Sequence, residues 1–166
     1  MGSHHPEREE LLKQLTEYNL QIQGYRWNEI KKSPVSPYIN SAVFKANKTK
    51  KGCAEMCEHF NLSKINLNIH HRQAVLGGAN LRIFECLATN SFMLSDNHPG
   101  LDKLFKIGKE LVCYDSVADL KEKIDYYLAH DEERLKIAKA GQERVLKELK
   151  IIDRIRILLK VVEQGN

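Results

Sequence analysis

Stretches in which aliphatic residues recur every third or fourth position alternate along this chain with runs of three to five nearly continuous apolar residues. Helical spacing comes first, over 7–18, where Leu11, Leu12 and Leu15 sit among charges. Leu20-Gln21-Ile22-Gln23 then alternates as a strand does, and Gly24 stops it. Pro34 and Pro37 predict an extended loop over 31–40, because proline disfavours helix at its own position and at the one before it. A short strand is expected over 41–45, a helix over 50–61 and a strand over 65–69.

The next stretch, 77–96, predicts a helix over 81–89 and a buried strand at Phe92-Met93-Leu94. His98-Pro99-Gly100 turns the chain into a short helix over 101–105, and Leu111-Val112-Cys113-Tyr114 is a further strand. The remaining third is helical. Ser116 with Asp119 three residues on is a capping box, followed by Val117, Leu120, Ile124 and Leu128 on one face. A second helix from Asp131 carries Leu135, Ala138, Val145 and Leu149, with Gly141 weakening its middle. A third carries Ile152, Ile155, Leu159 and Val162. Short strands separated by helices predict an α/β fold: a Rossmann-like parallel sheet flanked by helices, with a helical carboxy-terminal third. Ligands of such sheets bind outside the carboxyl ends of the strands, here the loops after Gln23, Ile69, Leu94 and Tyr114.

At 166 residues the chain suffices for one well-formed core, a single domain over 6–166. Residues 1–5, MGSHH, resemble an expression-tag remnant and are set aside. The net charge of +4 is dispersed, and Lys48, Lys50 and Lys51 form one basic cluster without interleaved aromatics, so no nucleic-acid partner is expected. No segment approaches the ~20 apolar residues of a membrane-spanning helix, and a cytoplasmic location is expected. Cys53, Cys57, Cys86 and Cys113 lack two-plus-two ligand spacing even with His59 nearby, so the expectation is reduced thiols and no metal.

Chemistry concentrates at the start of the helix over 81–89. Gly78-Ala79-Asn80 leads into it, and free amides at a helix start, backed by the helix dipole, favour an anion such as a phosphate. Arg82 and Glu85 stand at i,i+3. Two readings stay open: an idle surface ion pair, or a carboxylate accepting hydrogen bonds from vicinal hydroxyls of a ligand.

The segments "SKINLNIHH", "NLRIFECLATNSFMLSD" and "PGLDKLFKIGKELVCYDSVADLKEKIDYYLAHDEERLKIAKAG", in that order, resemble the carboxy-terminal half of group 1 glycosyltransferases, particularly the CgeB-like branch. The resemblance covers about 7–162. It implies one half of a GT-B fold, in which two Rossmann-like domains face a cleft and the carboxy-terminal one holds a nucleotide-sugar donor. Glu85 falls where the family's glutamate receives the ribose hydroxyls, and the Gly78-Ala79-Asn80 turn falls where amides meet the diphosphate. Arg82 matches an arginine that orients Glu85 or meets phosphate, Arg26 lies in a loop that reaches the nucleotide, and His70 stands at a strand end facing phosphate or sugar. His71, Asp96 and His98 are weaker candidates. The implied reaction is transfer of a sugar from a nucleotide diphosphate to an acceptor hydroxyl, with retention, with no cofactor beyond the donor, and with a missing amino-terminal acceptor-binding domain as partner. The catalytic residues are not identified, and the chain alone is expected to be inactive.

Two positions and one segment depart from the family pattern. Gly77 stands where many relatives carry a second glutamate, and Asn90 stands where they carry glycine. The family's first strand and its glycine-bearing loop are absent ahead of the first helix, leaving a sheet without an interior strand or with something else in its place. The alternative function is a non-catalytic protein-interaction module derived from this fold.

Overall fold

In the computed structural model, residues 2–39, 50–70 and 78–164 are described, the side chains of 50–53, 151 and 154 excepted. The expected strand over 41–45, Lys48, His71 and Gly77 lie outside them. Three short apolar runs pair in parallel. β1 (Asn66–Asn68) and β3 (Val112–Tyr114) flank β2 (Met93–Asp96), with Asn66 opposite Met93 and Leu94 opposite Val112. Because side chains alternate across a strand, Met93 and Cys113 enter one core cluster while Phe92, Leu94, Val112 and Tyr114 enter the other. A sheet buried on both faces needs helices on both, which is why Leu67, Met93, Leu94, Val112 and Cys113 supply apolar side chains to both clusters.

The first face is covered by α2 (Lys50–Leu62) through Phe60, by α3 (Leu81–Ala88) through Ile83, Cys86 and Leu87, and by α4 (Leu101–Leu104) through Leu101. α3 is too short to persist alone in water, where helices below ~12–15 residues are marginal. Full burial of Ile83 and Leu87, each contributing ~1.5–3 kcal/mol, holds it on the sheet. The second face takes α1 (Pro6–Lys13) with the turn after it through Leu11, Leu12 and Leu15, and α5 (Val117–Ala129) through Leu120, Ile124 and Tyr127. α6 (Asp131–Glu148) serves both clusters, with Ile137 and Ala138 in one and Val145 in the other. The Rossmann-like α/β architecture expected from the alternation is the one formed.

Several local expectations are borne out and others change. Ser116 caps α5, its Oγ accepting from the Asp119 amide at 3.2 Å, while Asp119 reaches back to the Asp115 amide at 2.9 Å. The Lys123 ammonium 2.7 Å away, with the Asp115 amide, holds the Asp119 carboxyl below its ordinary range. On α5 it is Tyr127, packed on Phe92 with ring centroids 4.7 Å apart, that turns inward, and the expected Leu128 is 39% exposed. Gly141 does not interrupt α6. It lies against β3's approach, where an added Cβ would stand 2.4 Å from the Glu110 carbonyl oxygen. The expected strand over 20–23 is reduced to one parallel bridge, Ile22 to Ile39, with Ile22, Trp27 and Val35 forming a small cluster of their own. α7 (Ile151–Gln164) forms as expected, yet Ile152, Ile155, Leu159 and Val162 are 47–57% exposed.

Burial pushes the Cys86 thiol up to about 12 and the Cys113 thiol up to about 11. Thiolate is the reactive form, so neither should alkylate in the folded chain at neutral pH. With iodoacetamide and peptide mapping, Cys86 and Cys113 are expected to stay unmodified until denaturant is added, whereas the partly exposed Cys57 reacts. Rapid labelling of Cys86 in native buffer would contradict the packing of α3.

Candidate functional site

The carboxyl ends of β1 and β2 carry polar residues in an otherwise apolar sheet, and these set the site. Asn80 caps α3 in extended geometry, its Oδ1 accepting from the Ile83 amide at 3.3 Å. Its Nδ2 donates to Asn68 Oδ1 at 3.0 Å, and Asn68 Nδ2 donates to Ser95 Oγ at 3.0 Å. This chain of amides ties the first turn of α3 to the ends of both strands. The first-turn amides of Leu81 and Arg82 have no carbonyl within the helix to bond, as at every helix start.

His70 follows β1 directly. Its backbone N–H donates to both oxygens of Asp96, at 3.0 and 2.9 Å, and its Nδ1 lies 2.7 Å from Asp96 Oδ1. The ring stacks on His98 with centroids 4.4 Å apart and planes 11° from parallel. With Nδ1 turned to a carboxylate, Nε2 is the remaining ring nitrogen, and it is buried without a partner. A neutral ring there can accept from a ligand hydroxyl, and only a protonated ring can donate to a phosphate oxygen. The Tyr114 hydroxyl donates to the Asn68 carbonyl at 3.3 Å, and burial pushes that phenol well above its ordinary value.

The turn ahead of α3 is positioned by backbone. The Gly78 amide donates to the Pro99 carbonyl at 2.7 Å, joining it to the loop after β2. Gly78 has φ 101° with open space where a Cβ would lie, so conformation and not crowding favours glycine there. Of the residues expected at the site, Gly78, Ala79, Asn80, Arg82 and Glu85 thus fall on one continuous turn and helix, with His70 joined to it through Asp96, which accepts from Ser95 Oγ at 3.4 Å.

Arg82 and Glu85 do pair, at 3.0 Å, both about 70% buried at the side chain. Arg82 also donates to Met56 Sδ at 2.9 Å and lies over the Phe60 ring, so the guanidinium is anchored on α2. One ion pair does not exhaust Glu85, since a carboxylate has about four acceptor positions. Both side chains line a cavity of about 770 Å³ that also reaches Asn80, Gln23 and Trp27. Arg26 is exposed, adopts a left-handed φ of 67° and pairs with Glu29 at 3.2 Å, so its side chain is not gathered with the others.

The model of a glycosyl transferase-like family matches residues 8–160. The chain belongs to that family. No curated protein matches it. The glycosyl transferase-like match spans all three strands and the whole site, from Arg8 through α6.

Sequence reading missed Asn68, Ser95 and Arg8. Asn66 and Asn68 alternate with Ile65, Leu67 and Ile69, which placed two amides on the same side of a strand otherwise fit for full burial, and that was the available signal. Arg8 donates to the Ile69 carbonyl at 2.9 Å across 61 residues, which no local pattern marks. Among the described residues, no three His, Cys, Asp or Glu side chains are grouped to hold a metal ion, and no helix is long and apolar enough to cross a membrane.

Proposed function

We propose that this glycosyl transferase-like chain is the donor-binding half of a GT-B enzyme and holds a nucleotide diphosphate sugar whose glycosyl group passes to an acceptor hydroxyl with retention. The observation that carries the reading is the Asn80–Asn68–Ser95 amide chain. It fixes the start of an anion-favouring helix at the carboxyl ends of two parallel strands, beside the orphaned Nε2 of His70. In this reading the diphosphate meets the amides after Gly78 and Ala79. His70, held by Asp96, meets a phosphate or sugar oxygen, and Glu85 accepts the ribose hydroxyls while Arg82 keeps it in place. Amides and Arg82 offset the developing charge on the leaving diphosphate, so the reading asks for no metal and no cofactor beyond the donor. A second wall, the amino-terminal acceptor-binding domain, would exclude water and orient the acceptor.

Calorimetric titration with UDP, GDP and their sugars tests this. One nucleotide is expected to bind, and Glu85→Ala to weaken it by about 1–3 kcal/mol, roughly 5- to 150-fold, the range for losing a charged hydrogen-bond partner. Failure of every nucleotide to bind a folded chain would sink the donor site. That outcome would favour the second reading, an interaction module, which the exposed row Ile155, Leu158, Leu159 and Val162 on α7 supports.

A further inference from the structure

Arg82 stands between two acceptors of very different strength. Its Nη1 donates to the Glu85 carboxylate at 3.0 Å and to the Met56 thioether at 2.9 Å, while the guanidinium carbon lies 5.8 Å from the centre of the Phe60 ring. Met56 and Phe60 stand one turn apart on α2, so a single face of that helix carries both contacts. A thioether is a weak, uncharged acceptor. It lets the guanidinium rest on α2 while the stronger bond goes to Glu85.

The same sulfur is open to covalent change. Methionine becomes its sulfoxide when a two-electron oxidant delivers an oxygen atom, which turns a flexible apolar side chain into a polar one. The chain has three methionines, and their surroundings separate them. Met93 lies inside the sheet and is 1% exposed, whereas Met56 packs against the rim of the core and is only partly buried. Met1 lies outside the described residues. Access to solvent therefore favours reaction at Met56 over Met93, and Met56 is the one that touches the candidate site.

We propose that Met56 is an oxidation site that governs the Arg82–Glu85 pair, with hydrogen peroxide, a two-electron oxygen-atom donor, as its reagent. A sulfur lone pair attacks one peroxide oxygen, the O–O bond breaks as the S–O bond forms, and after proton transfer water leaves. Sulfur is oxidised by two electrons and the peroxide is reduced to water. The 2.9 Å gap between Sδ and Nη1 has no room for the new oxygen, so the guanidinium must draw back or turn. The sulfoxide oxygen then competes with Glu85 for the same Nη1, and Glu85 loses the partner that orients it. On the donor-site reading, on which this last consequence rests, the oxidised chain holds the ribose hydroxyls less well.

The test treats the full chain with hydrogen peroxide and then with dithiothreitol, which reverses oxidation of thiols such as the partly exposed Cys57 but leaves a sulfoxide in place. Peptide mapping is expected to find one added oxygen at Met56 and none at Met93. The Arg82 Nε–H signal in heteronuclear NMR should shift on oxidation of the parent chain. It should not respond to peroxide in Met56→Leu, which keeps the bulk of the side chain without the sulfur. In calorimetry with UDP and GDP, oxidation should weaken the nucleotide that binds by about fivefold, the scale of one hydrogen bond, and peroxide should not alter its binding to Met56→Leu. Met93 reacting while Met56 does not, or an Arg82 signal unmoved by oxidation of Met56, overturns the inference. So does an equal response to peroxide in Met56→Leu. If no nucleotide binds but the Arg82 signal moves, the oxidation site stands and the donor reading fails. If a nucleotide binds equally well before and after oxidation, the donor reading stands and the inference falls.

Discussion

Gly141→Val is expected to destabilise the chain by about 3 kcal/mol and to lower its melting temperature by roughly 6–12 °C. Gly141 is a helix-interior glycine, and by propensity alone a side chain there should stabilise α6 by up to about 1 kcal/mol. Packing decides otherwise. A Cβ meets the Glu110 carbonyl oxygen at 2.4 Å and Leu87 Cδ2 at 2.9 Å. Leu87 could rotate, but the Glu110 main chain is held by its N–H, which donates to the Lys106 carbonyl at 2.9 Å, and leads directly into β3. Relief must come from α6 moving off α3 and the sheet, opening the cluster that holds Val145 and Leu149. Gly141→Ala should lose less, about 1–2 kcal/mol, since its propensity gain offsets part of the clash. Urea unfolding of both variants checks this, and a Gly141→Ala chain more stable than the parent would refute the close approach.

Asn80→Ala should cost about 2–3 kcal/mol and, on the proposed donor-site reading, also weaken nucleotide binding. Losing the Oδ1 cap on Ile83 accounts for about 1 kcal/mol. The rest follows from Asn68, only 4% exposed, whose Oδ1 loses its donor from Asn80 and is left buried and unpaired. Asn80→Ser separates the two terms. Serine can still cap the helix but cannot span to Asn68, so about half the loss should return. Equal losses for Ala and Ser would place the whole effect in the bridge, and a neutral Ala variant would remove the amide chain from any role in fixing α3.

The elements of this protein were readable wherever a signal is complete within a few residues. Ser116 and Asp119 start α5, the aliphatic spacing of α6 survives its glycine, and Asn80 marks the first turn of α3. Glu85 and Arg82 could be singled out on the same basis, because helical spacing alone puts them side by side. The contacts that join the site's other residues could not be found that way. Asp96 becomes the partner of His70 only because β1 and β2 align Asn68 with Ser95, across 27 positions. That register depends on which faces of both strands are buried, and no local pattern contains it. Tyr127 displaced Leu128 from the core for a similar reason: the ring of Phe92 was there to be covered, and an aromatic pair packs it better than a branched aliphatic chain.

By itself the sequence determined the order of most helices and strands, the parallel α/β class and the capped start of α3, since backbone preference, capping and side-chain period act over one or two turns of chain. Tertiary structure alone decided that Gly141 is a contact and not a weakness. It also decided that, among the described residues, 20–23 forms a single bridge at Ile22 and that His70 is held by Asp96. Each of these depends on main chain or side chains brought together from distant positions, and their approach is set by the packing of two buried sheet faces rather than by any residue's own preference.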